Sequence, residues 1–503
     1  MLILEVLAER ARTRGEHAFI LHEGRRVSYR EFDSLANRAA HVLQSFGVQR
    51  GDRVTLAVGN SVEYLVAAFG VLKAGGVMNP VNPGLGAAEL SYILGHAAPK
   101  VLITHAETAT TMLSSQLRRP PACLVACFGS AADTVALDPL IDAAPESSPA
   151  VTIGAGDGST LLYTSGTTGN PKGALFRHGS TGAAGRHFLE TLGIGRDDTI
   201  LAVTPLFHGN AWGAVVTALQ AGGTVAFPKV FRASGFWPLV HETGASVLYT
   251  LGTILAILLT QEPSDLERHN PLRVILGLGS APIRERIIQR FGVQHVAECF
   301  GSCDGGVVTI EPLGGTPRSG SAGPPVPGVT VRIVDDEGRA LPARSVGEIT
   351  IRSPHCMAEY FHDPEQTAAT LRDGWFFTGD LGYVDEDGWL YFVDRKKDVI
   401  RRGGENMSSV LIEKVLREHP RVVEAAVIGV PDPVLGQEVK AYVVTNGAVT
   451  EDELRAFAAA RLARFQVPRL WEFRDSLPKT PTQRVEKYKL RQQHGAGGKP
   501  LLG

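Results

Sequence analysis

A loop rich in glycine and hydroxyl side chains, Tyr163 to Gly173 (YTSGTTGNPKG), constrains this chain more than any other stretch. From Thr164 onward it holds three glycines, four hydroxyl residues and one lysine, and it follows the apolar pair Leu161-Leu162 at the end of a predicted strand. Glycines allow backbone N–H groups to face an anion, while hydroxyls and a lysine add further donors. The stretch therefore predicts a phosphate-binding loop.

This loop differs from the common phosphate loop, Gly-x-x-x-x-Gly-Lys-Ser/Thr, because Lys172 is followed by Gly173. A flexible Gly/Thr linker is the alternative interpretation. Pro171 argues against a linker, because proline stiffens the chain directly before the lysine and linkers seldom combine these features.

Composition limits the classes of function. A chain of 503 residues predicts two to four domains at about 150 residues each. A hydrophobic content of 44% is typical of globular proteins, and a net charge of -2 argues against nucleic acid as the main partner. The sequence predicts no signal peptide and no membrane span. Five cysteines without metal-binding spacing favour a reducing cytoplasm: Cys123, Cys127, Cys299, Cys303 and Cys356.

Alternating helix and strand patterns predict layered α/β units with parallel strands. Ser28 followed by Glu31 predicts a helix N-terminus, and a second helix is predicted from Ser61 to Lys73. The predicted strands span residues 54–58, 76–79, 101–104, 124–127, 159–163, 199–203, 224–227, 247–250, 274–277 and 296–301.

Polar and aromatic residues follow three of these strands. His208 stands at a strand-to-helix junction, where it lines a pocket or caps the helix. The stretch GLGSAPI places small residues after another strand. Phe300, Cys303 and Asp304 lie at the end of the strand predicted at 296–301, where an open α/β sheet binds its ligand; a tight turn with an Asp cap is the alternative.

The residue pattern of the sequence changes twice toward the C-terminus. From Pro324, short alternating runs with Asp-Gly turns predict an antiparallel β unit. A charged, glycine-containing segment at 394–409 then precedes a small α+β region of the size of an independent lid. The predicted domains are an N-terminal domain at 1–394, a hinge at 395–398, a lid at 399–491 and a disordered tail at 492–503.

Five motifs together carry a family resemblance. They are YTSGTTGNPKG, FGSCDG, GWFFTGDLGYVDEDGWLYFVDRKKD, RRGGENMSS and LPKTPTQRVEKYKLR. The motifs occur in the order and spacing of the adenylate-forming superfamily, which the chain therefore resembles. Within this superfamily it is most similar to the carnitine/crotonobetaine-CoA ligase-like branch of acyl-CoA synthetases. The resemblance implies a large N-terminal domain of α/β subdomains with a β subdomain, and a small mobile C-terminal domain.

The resemblance also implies a two-step reaction. An acid displaces pyrophosphate from ATP to give an acyl-adenylate, with Mg²⁺ as cofactor, and coenzyme A then takes the acyl group after the C-terminal domain rotates. A carboxylate becomes a good electrophile only when its oxygen joins a good leaving group, and the moving phosphoryl charge needs cations and donors.

Matching motif positions assigns site residues by resemblance. The phosphate cradle comprises Thr164, Ser165, Gly166, Thr167, Thr168, Gly169 and Lys172, with Thr164 and Asp304 as the metal ligands. The adenine and acyl pockets involve Gly279, Ser280, Ala281, Phe300, His208 and Trp212. Gly301 and Cys303 also belong to the nucleotide site, with Cys303 at the position of the family threonine that contacts phosphate. Asp380 and Arg395 bind the ribose hydroxyls, Lys397 is the hinge residue, and Gly403, Gly404 and Glu405 line the pantetheine tunnel. Lys172, Asp304, His208, Arg484 and Lys487 are the predicted catalytic residues.

Three residues depart from the family pattern. Where the family has Thr-Glu, this chain has Cys303-Asp304, a weaker donor followed by a carboxylate that is one methylene shorter and can still bind Mg²⁺, directly or through water, if the backbone moves in slightly. Where the family has the adenylation lysine, this chain has Arg484, which keeps the charge in a different geometry. Lys487 or Lys479 could substitute for that lysine.

The departures leave other functions open. The main hypothesis is an acid–CoA ligase. Alternatives are a family member that does not use CoA, such as a diazotase that activates nitrite for an aryl amine or an amide-forming ligase, and a non-enzymatic relic of the fold. The sequence does not identify the acid, and it leaves the oligomeric state open, with a homodimer as one expectation.

Overall fold

The computed structural model describes residues 1–114, 117–164, 171–183, 185–280, 283–396, 398–402, 405–479 and 485–497. The chain forms two compact units. The first comprises Met1–Thr330 and Ile351–Phe376, and the second comprises Val331–Thr350 and Phe377–Gly503.

The first unit contains most of the helices. They are α1 (Ile3–Thr13), α2 (Tyr29–Ser45), α3 (Val62–Lys73), α4 (Ala87–Ala97), α5 (Ala106–Ser114), α6 (Asp138–Ala143), α7 (His178–Ala183), α8 (Arg186–Leu192), α9 (Gly209–Ala221), α10 (Phe236–Thr243), α11 (Gly252–Thr260), α12 (Asp265–Arg268), α13 (Arg284–Phe291) and α14 (Pro364–Thr370), with a 3₁₀ turn at Ala233–Gly235. No helix in the described part of the chain is both long and apolar enough to cross a membrane.

The strands of the first unit form two large sheets and a hairpin. They are β1 (Ala18–His22), β2 (Arg25–Ser28), β3 (Arg53–Ala57), β4 (Val77–Pro80), β5 (Val101–His105), β6 (Leu124–Phe128), β7 (Val135–Ala136), β8 (Gly158–Thr164), β9 (Lys172–Arg177), β10 (Thr199–Ala202), β11 (Thr224–Ala226), β12 (Val247–Leu251), β13 (Val274–Leu278), β14 (His295–Ala297), β15 (Cys299–Ser302) and β16 (Gly306–Ile310). After β17 (Thr330–Val334) and β18 (Gly347–Arg352) come β19 (Glu359–Tyr360), β20 (Leu371–Arg372) and β21 (Trp375–Val384).

An eight-stranded sheet carries the glycine-rich loop. Its strand order is β19-β9-β8-β4-β3-β5-β6-β7. The strands from β4 to β7 and the β4–β8 pair are parallel, whereas β8, β9 and β19 pair antiparallel. The loop therefore connects two antiparallel neighbours at one end of a mainly parallel sheet.

The seven-stranded sheet has the order β14-β13-β12-β10-β11-β1-β2 and is parallel apart from the β1–β2 hairpin. Apolar side chains of its strands and helices form one core, in which Leu248 and Ile275 pack with Leu255 and Ile287. Strands buried on both faces need this continuous apolar character. The parallel α/β layers predicted from the sequence are confirmed.

Two adjacent helices show why local sequence fits this packing. Ser28 caps α2 by accepting a hydrogen bond from the Glu31 backbone N–H at 3.2 Å. Gly70 in α3 lies against α2, since a Cβ at this position would stand 2.7 Å from the Cβ of Ala39. Glycine thus allows the two helices to approach closely.

The prediction of one continuous strand at 296–301 is wrong. β14 ends at Ala297, and β15 begins at Cys299 as part of a separate antiparallel hairpin with β16. Gly306 has a φ of +72°, and a Cβ at Gly301 would stand 2.5 Å from the Gly306 carbonyl oxygen, so the hairpin requires both glycines. Phe300 consequently lies in a two-stranded hairpin rather than at the edge of the parallel sheet.

The second unit is α+β. After parts of β17, β18 and β21 it contains β22 (Leu390–Arg395), β23 (Ile400–Arg402), β24 (Glu405–Met407), α15 (Ser409–Arg417), β25 (Val422–Asp432), β26 (Gly436–Thr445), α16 (Glu451–Ala459), β27 (Leu470–Phe473) and α17 (Lys487–Gly497). β21 and β22 pair antiparallel, as the Asp-Gly turn predicted. Apolar residues of α15, β25, β26 and α16 form its core.

Two predicted boundaries differ from these elements. Residues 331–350 and 377–394 fall in the second compact unit, although they were assigned to the N-terminal domain; the hinge at 395–398 stays a prediction. Helix α17 extends to Gly497, so residues 492–497 of the predicted disordered tail are helical, and 498–503 lie outside the described residues. Leu490 anchors this helix, because its side chain is fully buried.

Candidate active site

The two ends of the glycine-rich loop face each other across a hairpin. Thr164 at the end of β8 pairs with Lys172 at the start of β9. Five predicted phosphate-binding residues lie between them and outside the described residues: Ser165, Gly166, Thr167, Thr168 and Gly169. The described strands thus place a hydroxyl and an ammonium group at the base of the loop.

Lys172 is held by neutral partners. Its Nζ donates a hydrogen bond to Oε1 of Gln366 at 2.6 Å and lies 5.4 Å from the centroid of the Tyr360 ring. Gln366 is fixed in turn, because its Nε2 donates to Oγ1 of Thr370 at 3.0 Å. Neither partner neutralises the ammonium charge, which is therefore available to an anion.

Asp304 is joined to the same tyrosine. The Tyr360 hydroxyl donates to Oδ2 of Asp304 at 2.6 Å. Burial, and then the neighbouring Asp304 carboxylate, raise the pKa of Tyr360 above its usual range, so the hydroxyl keeps its proton. The ring of Tyr360 thus lies between a cation at the loop and a carboxylate at the turn after β15.

Sequence reasoning did not single out Tyr360 or Gln366. Tyr360 lies in β19, where it pairs with Ala174 of β9, the strand that begins at Lys172. This pairing joins segments separated by almost 200 residues, and no local pattern encodes its register. The pair Tyr360-Phe361 after a polar turn was the one available signal.

The residues after β13 are held by a buried carboxylate. Gly279, with a φ of +81°, donates its backbone N–H to Oε1 of Glu298 at 2.6 Å, and Oγ of buried Ser280 lies 3.4 Å from Oε2. Glu298 also donates its backbone N–H to Oε2 of Glu311 at 2.9 Å. Ala281 lies outside the described residues. Sequence reasoning missed Glu298, which orients the segment predicted to line the adenine pocket.

The remaining hairpin residues differ in exposure. Phe300 in β15 is buried, and Gly301 follows it. The Cys303 thiol is exposed. Their assignment to nucleotide binding stays a prediction.

His208 occupies the N-cap position of α9 but makes no capping hydrogen bond through its side chain. Burial lowers the pKa of His208 to about 4, so the imidazole is neutral at pH 7. Trp212, one turn on, packs against Phe69 with the ring centroids 5.7 Å apart. A neutral imidazole beside an aromatic surface is compatible with the predicted pocket position.

In the second unit, Asp380 lies directly opposite Arg395 in the β21–β22 ladder, with Oδ1 of Asp380 3.6 Å from Nε of Arg395. Asp380 is buried, which favours pairing of its carboxylate with a cation. The predicted ribose-binding pair is therefore adjacent in space.

Both lysines considered as substitutes for the family lysine are engaged elsewhere. Nζ of Lys487 lies 2.7 Å from Oε1 of Glu413 and donates to Oγ of Ser409 at 2.6 Å. Nζ of Lys479 lies 2.5 Å from Oε1 of Glu424. The catalytic role of Lys487 stays a prediction. Four further predicted residues lie outside the described residues: Lys397, Gly403, Gly404 and Arg484.

Comparison with known proteins matches nearly the whole chain. The chain matches the family described as AMP-binding enzyme over residues 7–361, and it matches the AMP-binding enzyme C-terminal domain over residues 411–484. It is 33% identical over 480 residues to the long-chain-fatty-acid–CoA ligase FadD13 of Mycobacterium tuberculosis, covering 94% of each chain. It is 32% identical over 484 residues to crotonobetaine/carnitine–CoA ligase of Citrobacter koseri, covering 93% of each.

A solved structure supports the same grouping. The anthranilate CoA ligase AuaEII in complex with anthranoyl-AMP superposes with a TM-score of 0.90 at 26% identity, over 99% of this chain and 98% of that chain. The mixed α/β fold class and the resemblance to adenylate-forming enzymes are confirmed. The chain belongs to the AMP-binding enzyme family.

Proposed function

We propose that the protein is an AMP-forming acid–CoA ligase. Lys172 and Asp304 meet at Tyr360 beside the base of the glycine-rich loop, and this arrangement carries the proposal. The relatives named above are CoA ligases that cover the chain almost completely, which supports the same activity. They give no support for the diazotase or amide-forming alternatives.

The first half-reaction joins the acid to AMP. A carboxylate oxygen of the acid attacks the α-phosphorus of ATP, an O–P bond forms, and the bond to pyrophosphate breaks. Charge on the departing pyrophosphate must be neutralised. Lys172 supplies a cation that no carboxylate in the described part of the chain pairs with, and Thr164 supplies a hydroxyl opposite it.

The residues present fit a magnesium ion. Asp304 offers a carboxylate oriented by Tyr360 through one oxygen. No cluster of three or more potential ligands occurs among the residues that the structure describes, and Mg²⁺ bound with phosphates commonly uses one or two carboxylates. Asp304, with the Thr164 hydroxyl, would hold the ion, which would supply charge neutralisation at the phosphates.

The second half-reaction transfers the acyl group. The sulfur of coenzyme A attacks the acyl carbonyl carbon, a C–S bond forms, and the C–O bond to AMP breaks as the thiol proton is lost. His208, kept neutral by burial, can accept a hydrogen bond at neutral pH. By resemblance, Gly403, Gly404 and Glu405 line the path of the pantetheine arm.

Compartment and assembly belong to the same proposal. All five cysteines are described, and each is a free thiol. Free thiols suit a reducing cytoplasm, which is where we place the enzyme. A homodimer remains a prediction from the sequence.

The proposal is tested by incubating purified protein with ATP, Mg²⁺ and coenzyme A and a panel of aliphatic, aryl and carnitine-like acids. We expect acid-dependent formation of AMP, pyrophosphate and an acyl-CoA in equal amounts. Formation of AMP with nitrite and an aryl amine, without consumption of coenzyme A by any acid, would overturn the proposal. Absence of ATP turnover under every condition would indicate a non-enzymatic relic.

The proposed ribose contact gives a prediction for Asp380. Asp380→Ala should raise the KM for ATP about 10- to 100-fold, because hydrogen bonds to a charged acceptor are lost. Initial rates of pyrophosphate release at varied ATP concentration measure this. Glu386→Ala is the matched control, since Glu386 is an exposed carboxylate in the turn of the same hairpin, paired with Arg344. An unchanged KM in Asp380→Ala would remove this residue from the nucleotide site.

A further inference from the structure

Two buried histidines in the first unit have no polar partner. His187 in α8 is 4% exposed and His355 is 7% exposed. All four ring nitrogens are buried and make no hydrogen bond within the described residues. Buried polar atoms are normally satisfied, so four adjacent unsatisfied nitrogens need an explanation.

The two rings form a pair. Their centroids lie 4.8 Å apart with an interplanar angle of 56°. Burial, and the neighbouring His355, lower the pKa of His187 to about 3, and burial lowers the pKa of His355 to about 4. Both imidazoles are therefore neutral at pH 7, and each offers one N–H donor and one nitrogen acceptor.

The histidine pair adjoins the turn that carries Asp304. A Cβ at Gly306 would stand 2.8 Å from the Cβ of His355, so only glycine permits this approach. The next residues bind the same turn, because Met357 donates its backbone N–H to the Asp304 carbonyl at 2.9 Å and the Cys356 thiol donates to the Gly305 carbonyl at 3.4 Å. His355 is thus held directly behind the predicted metal-binding turn.

The other side of the pair is aromatic. The centroid of His187 lies 4.4 Å from that of Phe188, and Phe188 lies 5.4 Å from Tyr249. The Tyr249 hydroxyl donates to Oγ1 of Thr217 at 3.2 Å. Thr217 belongs to α9, the helix that is preceded by His208 and contains Trp212, the two residues predicted to border the acid pocket.

We propose that His187 and His355 form the polar end of the acid pocket and bind an uncharged hydroxyl or amino substituent on an aromatic acid. The inference rests on the proposed function, since it names the acid of that reaction. A hydroxyl or amino group both donates and accepts, which matches two neutral imidazoles. An alkyl chain would leave the nitrogens unsatisfied, and a second carboxylate would be buried without a cation.

Matched acids test the inference. The panel contains benzoic and cinnamic acids that carry a hydroxyl or amino group at one ring position, each beside the acid with a methyl group at that position. For at least one position we expect kcat/KM for the polar acid to exceed that for the methyl acid about 100-fold or more, since a site built for hydrogen bonds rejects an analogue that lacks them.

Variants of His187 and His355 test whether these two residues cause the preference for the polar acid over the methyl acid. His187→Leu and His355→Leu, alone and together, should lower the ratio of kcat/KM for the polar acid to that for the methyl acid at least about tenfold. His187→Asn, which keeps a donor and an acceptor, should retain more of the ratio than leucine. His178→Leu is the matched control. His178 in α7 is also fully buried, and its ring nitrogens make no hydrogen bond within the described residues. The His178→Leu variant should keep the wild-type ratio of kcat/KM for the polar acid to that for the methyl acid.

A second measurement uses the unaltered protein. Imidazole ¹⁵N signals of His187 and His355, assigned with the leucine variants, should shift with the preferred polar acid and not with its methyl counterpart. Equal kcat/KM for polar and methyl acids, unchanged ratios in the leucine variants, or unmoved imidazole signals would overturn the inference while acid activation stands. No pyrophosphate release with any acid would instead overturn the proposed function.

Discussion

Asp304→Ala is expected to reduce acid-dependent pyrophosphate release about 100- to 1,000-fold. The substitution removes the carboxylate proposed to hold the divalent cation that neutralises the phosphates of ATP. The fold should survive. The substitution removes one hydrogen bond, from the Tyr360 hydroxyl at the half-buried Asp304, and the melting temperature should fall by no more than about 4 °C. Steady-state release at saturating ATP and a thermal melt measure the two effects.

Two further variants separate metal binding from positioning. Asp304→Glu restores the residue usual in the family and should keep most of the activity, with a changed requirement for Mg²⁺ concentration. Tyr360→Phe removes the hydroxyl that orients the carboxylate and should shift the Mg²⁺ dependence to higher concentration more than it lowers the maximal rate. Wild-type rates in Asp304→Ala would contradict the role in metal binding.

Arg484→Ala is expected to slow adenylation about 100-fold, and to slow thioester formation from supplied acyl-adenylate less than about tenfold. The guanidinium replaces the lysine that, by resemblance, bridges the acid carboxylate and the α-phosphate, so its charge matters while the O–P bond forms. Rapid-quench measurement of pyrophosphate release, and of CoA thioester formation from isolated acyl-adenylate, compares the half-reactions.

Controls for Arg484 come from the same segment. Arg484→Lys restores the family residue and should recover adenylation. Lys487→Met tests the substitute lysine; since Lys487 is paired with Glu413 and Ser409, we expect a change in stability rather than a selective effect on adenylation. Equal slowing of both half-reactions by Arg484→Ala would contradict the assigned role.

Local patterns predicted most of the fold. Capping by Ser28 and the buried apolar runs of the parallel strands depend on neighbouring residues, and the structure confirms them. The prediction of one strand at 296–301 was wrong because strand-forming residues continue on both sides of Glu298, whereas the backbone leaves β14 there and enters a separate hairpin with β16.

The candidate site was predictable where residues belong to a motif. Lys172 and Asp304 were identified from their own stretches, and the structure brings both to Tyr360. Tyr360 and Gln366 were missed because strand β19 reaches β9 across a long sequence separation. The unpartnered nitrogens of His187 and His355 were equally invisible, since burial and pairing are properties of the packed chain.

Exchange of labelled pyrophosphate into ATP, with an acid but without coenzyme A, tests the central claim most directly, because exchange requires a reversible acyl-adenylate. We expect acid-dependent exchange that requires Mg²⁺ and that Asp304→Ala and Arg484→Ala reduce. Added coenzyme A should lower the exchange, because it converts the acyl-adenylate into a thioester. Failure of every acid in the panel to promote exchange, or exchange at the same rate without acid, would contradict the central claim.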